Sequence, residues 1–91
     1  MVDITHKNST LRKAVAQAIV KVSSQETIDK IIQKQIPKGD VFEMAKTAGL
    51  FAAKKTSDVI PDCHPLPIEY TKISFEINGL DIIIQTEIHT I

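Results

Sequence analysis

The stretch KISFEINGLDIII, residues 72–84, decides the fold. Ile73, Phe75 and Ile77 alternate with Tyr70, Lys72 and Ser74, and successive strand side chains point to opposite faces, so residues 68–77 read as a half-buried strand. Asn78-Gly79 is the pair that accepts positive φ at both centres of a type I′ turn, and it predicts a tight hairpin. The returning strand runs from Asp81 to Ile91, with Ile82, Ile84 and Ile88 on one face.

Upstream of the hairpin the period changes. Residues 41–56 carry a small-residue face of Ala45, Ala48, Gly49, Ala52 and Ala53, which predicts a helix able to approach another backbone closely, opened by Gly39-Asp40. Before it, Ser23-Ser24-Gln25-Glu26 resembles a capping box, and Ile28, Ile31, Ile32 and Ile36 recur at helical spacing until Pro37 stops the run. From Arg12 to Val22, Ala14, Ala16, Ala18, Val20 and Val22 fall on one side of an extended segment. The predicted order is strand, helix, helix, strand, strand: an α+β fold with an antiparallel sheet and helices on one face, with residues 1–91 as one domain. Two short helices do not cover three strands, so an identical neighbour or further chain is expected to cover the remainder.

Composition narrows the partners. The 91 residues include 11 basic and 11 acidic side chains, a balance that supplies no overall field toward nucleic acid or an anionic membrane. Aromatic content of 4% without tryptophan argues against a stacking platform for single strands. No apolar run has the length of a membrane span, and MVDITHK lacks the apolar core of a signal peptide. A single cysteine, Cys63, fits a reducing compartment, and a cytoplasmic location is expected.

Chemistry concentrates in IPDCHPLP, residues 60–67. Pro61, Pro65 and Pro67 fix their own φ and restrain the residues before them, so Cys63 and His64 are held with little entropy left to lose. In an extended segment the two point to opposite sides, and the expectation is Cys63 inward and His64 toward a cleft. The plainer alternative makes Cys63 a small buried hydrophobe and His64 a surface histidine. Opposed neighbours are poor partners for an activated Cys-His pair. They are equally poor joint ligands of a tetrahedral zinc with His6 or His89, and no second cysteine exists.

A second cluster, Ile36-Pro37-Lys38-Gly39-Asp40, puts a lysine before a helix N-terminus, where free N–H groups and the positive dipole end can hold a phosphate. An ordinary cap with a solvated Lys38 is the competing reading, and the spacing is not that of a P-loop. Lys54-Lys55 complements the negative end of the same helix, and a short irregular link over 56–60 can bring Lys54 toward His64. Arg12 adds one more cation.

Together, HK at 6–7, LRKAVA at 11–16, PKGDVFEMAKTAGLFAAKKTSDVIP at 37–61 and CHPLP at 63–67 resemble the MoaC family, the cyclic pyranopterin monophosphate synthases of molybdenum cofactor biosynthesis. The resemblance implies a ferredoxin-like α+β subunit, dimers within a hexamer and active sites between subunits. It implies a lyase that rearranges cyclo-dihydro-GTP to cyclic pyranopterin monophosphate with release of pyrophosphate, and it implies no metal or other cofactor. Lys38 matches the family's catalytic lysine and His64 its catalytic histidine; Asp62, Cys63 and His64 match the substrate-contacting tripeptide, and Arg12 and Lys54 match basic positions near the phosphates. Asp62 stands where leucine is more usual, which sets a carboxylate beside a phosphate-bearing substrate. In the family, a GVEMEA-type segment and a helix ending in a D-M-x-K motif follow, and the expectation is that this chain is the front part of such a domain. A binding or assembly module that keeps the anion pocket without turnover is the rival from another class.

Overall fold

The computed structural model describes residues 10–60 and 68–91. In chain order the elements are β1 (Arg12–Lys21), α1 (Gln25–Ile32), α2 (Val41–Lys54), the one-turn α3 (Thr56–Val59), β2 (Ile68–Asn78) and β3 (Asp81–Thr90). The three strands form one antiparallel sheet in the order β1-β3-β2. The α+β class and the strand-helix-helix-strand-strand order are those expected, with α3 added.

Register explains the two faces. Ala14, Ala16, Ala18 and Val20 of β1 pair with Ile88, Thr86, Ile84 and Ile82 of β3, which pair in turn with Thr71, Ile73, Phe75 and Ile77 of β2. Paired residues share a face, so the apolar alternations of all three strands coincide. Helix α2 lies on this side over β2. The Phe42 and Phe75 rings stack with centroids 4.7 Å apart and planes 13° from parallel. Two helical turns further along, Gly49 meets Ile73 so closely that a Cβ there would collide with its Cδ1. The small face therefore serves close helix-to-sheet approach.

Among the described residues only Ile28, Ala53 and Ile82 are buried, and of these Ile28 alone fully. β1 is exposed along its whole length, and Val15, Ile19, Ile32, Met44 and Phe51 also remain open to solvent. This small core is the physical counterpart of the uncovered surface expected from the sequence. No helix among the described residues is long and apolar enough to cross a membrane.

Four local expectations are corrected. The hairpin loop is Gly79-Leu80, flanked by the paired Asn78 and Asp81, and positive φ occurs only at Gly79 (63°). A positive φ confined to the first loop position is the II′ pattern, not I′. The slip moves the pairing by two residues, which preserves the face of every side chain. Helix α1 stops at Ile32 and not at Pro37. Gln35 N–H donates to Lys30 O and Lys34 N–H to Ile31 O, with Lys34 left-handed at φ 57°, the bonding of a Schellman cap without its usual glycine. The capping box also does not form: Ser24 is the N-cap but its side chain caps nothing, lying 3.4 Å from the Thr27 hydroxyl. The link 56–60, expected to be irregular, contains the helical turn α3, with the Thr56 hydroxyl donating to Ala52 O and Ala53 O at 3.0 Å each.

Candidate functional site

Lys38 sits in a turn built for display. Gly39 N–H donates to Ile36 O at 3.1 Å, closing a turn whose central residues are Pro37 and Lys38. Proline presets φ at the first of these positions, and Gly39 follows at φ 125°, a conformation glycine accepts without a Cβ penalty. The result is an exposed lysine on a stiff tip immediately before α2.

The helix mouth itself is occupied. Asp40 Oδ1 accepts from Phe42 N–H at 3.1 Å and Glu43 N–H at 3.2 Å, and Oδ2 lies 3.6 Å from Lys34 Nζ. Of the two readings of this helix mouth, the ordinary cap is the one that forms: the chain's own carboxylate takes two of the free donors and faces the positive dipole end. Lys38 makes no ion pair among the described residues, so its charge remains available to an external anion.

The other cations lie at the far end of α2. A pocket of about 330 Å³ is lined by Arg12, Lys13, Ala53, Thr56, Ile68 and Thr90, among others. Its wall joins the start of β1, the last turns of α2, the end of β3 and the first residue of β2. Among the described residues, two cations and no carboxylate line it. Lys54, next in sequence to the pocket residue Ala53, lines a separate pocket of about 240 Å³ with Thr47, Leu50 and Phe51. Arg12 and the C-terminal end of α2 are therefore brought together.

Asp62, Cys63 and His64 lie outside the described residues. Their segment connects Ile60 to Ile68, and Ile68 is a wall of the Arg12 pocket. Lys38 is not brought to this end. Helix α2 has 14 residues, and at a rise of about 1.5 Å per residue its two ends are roughly 20 Å apart.

Thr56 and Thr90 are pocket residues that motif reasoning did not single out; a threonine at an element's end carries no signal of a site. His89, weighed as a metal ligand, faces away from α2. Its ring tilts against Tyr70 with centroids 4.6 Å apart, and Nε2 lies 3.2 Å from Glu87 Oε2, close enough for an ion pair but misaligned as a hydrogen bond. Among the described residues no three His, Cys, Asp or Glu side chains group as metal ligands.

The family model described as the MoaC family matches residues 1–91, every residue of the chain. The chain belongs to the MoaC family. Similar curated proteins bear matching names. A probable cyclic pyranopterin monophosphate synthase of Sulfolobus acidocaldarius is 43% identical over 91 residues, covering 98% of this chain and 63% of that protein. The cyclic pyranopterin monophosphate synthase of Nitratidesulfovibrio vulgaris is 45% identical over 92 residues, covering 99% and 56%. That of Geobacillus kaustophilus is 53% identical over 75 residues, covering 82% and 46%. The chain thus spans roughly half to two thirds of the length of these MoaC relatives.

Proposed function

We propose that this chain carries catalytic residues of a cyclic pyranopterin monophosphate synthase, a lyase that rearranges cyclo-dihydro-GTP to cyclic pyranopterin monophosphate and releases pyrophosphate. The observation that carries the reading is the MoaC match across residues 1–91, which includes both Lys38-Gly39-Asp40 and Cys63-His64-Pro65. Lys38 and His64 move the protons of the rearrangement. Arg12 and Lys54 hold the phosphates, and Asp62 and Cys63 contact the substrate beside His64. A pocket lined by Arg12 and Lys13 suits a polyanion, because charge-assisted hydrogen bonds to phosphate are about twice as strong as neutral ones.

The reading also calls for more than one copy. With roughly 20 Å of helix between Lys38 and the Arg12 pocket, one subunit does not present both to one substrate. A cleft where the Lys38 turn of one copy meets the Arg12 end of another does. Dimers within a hexamer in the cytoplasm, with a GTP-derived small molecule as the only other partner, complete the proposal.

Pyrophosphate release on mixing the chain with cyclo-dihydro-GTP tests it. Release is expected, and Lys38→Ala and His64→Ala are each expected to abolish it while ligand binding stays near normal. Binding without release from the unaltered chain would overturn the catalytic reading in favour of a binding module.

A further inference from the structure

Thr56 lines the Arg12 pocket but has no part in the function given so far. It stands three residues after the buried Ala53, and residues three apart on a helical run are neighbours on one face, so Thr56 is turned toward the sheet with it. Opposite lie Arg12, Thr90 and Ile68, paired across the three strands at one end of the sheet. Thr56 thus enters the pocket from the helix side and Arg12 from the sheet side.

The hydroxyl of Thr56 is a surplus donor. Its Oγ1 lies 3.0 Å from both Ala52 O and Ala53 O, and its single proton serves one of them at a time. Both carbonyls also accept a backbone N–H at the C-cap of α2, so neither depends on the threonine. A turn about the Cβ–Oγ1 bond redirects the proton with no change of χ1 and no acceptor left unpaired. The β-branch keeps χ1 stiff, which fixes Oγ1 in advance. Ala14, Ala53, Ile68 and Ile88 are apolar neighbours in the same lining, and hydrogen bonds gain strength where water is thinned out.

We infer that Thr56 is a further phosphate-contacting residue, its hydroxyl donating to an oxygen of the phosphoryl group that Arg12 holds; this rests on the proposed phosphate role of the pocket. A guanidinium fork takes two oxygens of a phosphoryl group in one plane. The third oxygen stands out of that plane and needs a donor from another element. Among the described residues, Ala53 and Thr56 are the two that line the pocket from the helices, and only Thr56 carries a side-chain donor.

Calorimetric titration of the chain with inorganic pyrophosphate tests the assignment. Thr56→Val removes the hydroxyl and keeps the branched outline, and it is expected to weaken binding by at least about tenfold. Thr56→Ser keeps the hydroxyl and is expected to bind as the parent does, with circular dichroism showing that both variants are folded. A second measurement uses the unaltered chain: the Thr56 methyl resonance is expected to shift as pyrophosphate is added, saturating with the calorimetric curve. A valine variant that binds as the parent does, or a methyl resonance that stays in place, would overturn the role of Thr56. A serine variant as weak as the valine variant would trace the loss to methyl packing and overturn it as well. If Arg12→Ala loses pyrophosphate while Thr56→Val keeps it, the phosphate role of the pocket stands and that of Thr56 alone falls. If the unaltered chain binds no pyrophosphate, the phosphate role falls and takes Thr56 with it.

Discussion

Replacing Asp40 with alanine removes the support beneath the Lys38 turn, and the structure sets its size. The Oδ1 atom caps α2 through Phe42 N–H and Glu43 N–H, and loss of such a cap costs about 1 kcal/mol, within a range of about 0.5–2. A carboxylate in the first turn adds about 0.3–1 kcal/mol through the helix dipole. The Lys34 pair at 3.6 Å adds little, because the lysine side chain is 74% exposed and its charge is screened. The expected loss is about 1–2 kcal/mol for Asp40→Ala. For Asp40→Asn, which keeps an accepting oxygen and loses only the charge, it is about 0.5 kcal/mol. Urea unfolding followed by circular dichroism resolves the two: with a slope near 1 kcal/mol per molar, the alanine midpoint falls by about 1–2 M. In 1 M salt the asparagine variant approaches the parent, since the Debye length contracts to about 3 Å. An asparagine variant as unstable as the alanine variant would refute the capping argument, as would an alanine variant at the parental midpoint.

Two further outcomes follow from the packing. Gly39→Ala forces a Cβ onto a residue at φ 125° and within 3.2 Å of Met44 Sδ, and a cost of about 1–3 kcal/mol is expected by the same unfolding measurement; unchanged stability would show that the turn relaxes freely. A double-mutant cycle on Phe42→Leu and Phe75→Leu, whose rings stack at 4.7 Å, is expected to return a coupling of about 0.5–1.5 kcal/mol, and additive losses would disprove direct stacking.

Strands were legible because their alternation survives small errors. The hairpin turn lies one residue later than Asn78-Gly79 suggests, yet Ile73, Phe75 and Ile77 still share a face with Ile82 and Ile84, since the pairing moves by an even number of residues. Helix ends were less legible. Proline at 37 looked like the stop of α1, but the stop is a left-handed Lys34, a conformation that lysine rarely signals. The helix mouth at Asp40 illustrates a deeper limit. A motif near free N–H groups has the same letters whether those donors await a phosphate or are already taken by the adjacent aspartate, and only the position of Oδ1 decides. Arg12 was legible as a cation but not as a pocket wall, because that wall joins residues from β1, α2, α3, β2 and β3 that are distant in sequence.

The same helix sets the distance between the two groups of residues proposed for the site. Its face of alanines with Gly49 lets α2 lie directly on β2, pinned by Phe42 on Phe75 near one end and by Ala53 in the core near the other. Fixed at both ends, α2 behaves as a rod about 20 Å long. The rod holds the Lys38 turn and the Arg12 pocket at a constant separation, so neither approaches the other by bending within one copy. Under the proposed function, close packing leaves apposition of separate copies as the route to a shared site. The exposed β1 leaves surface for the contacts that such an arrangement requires.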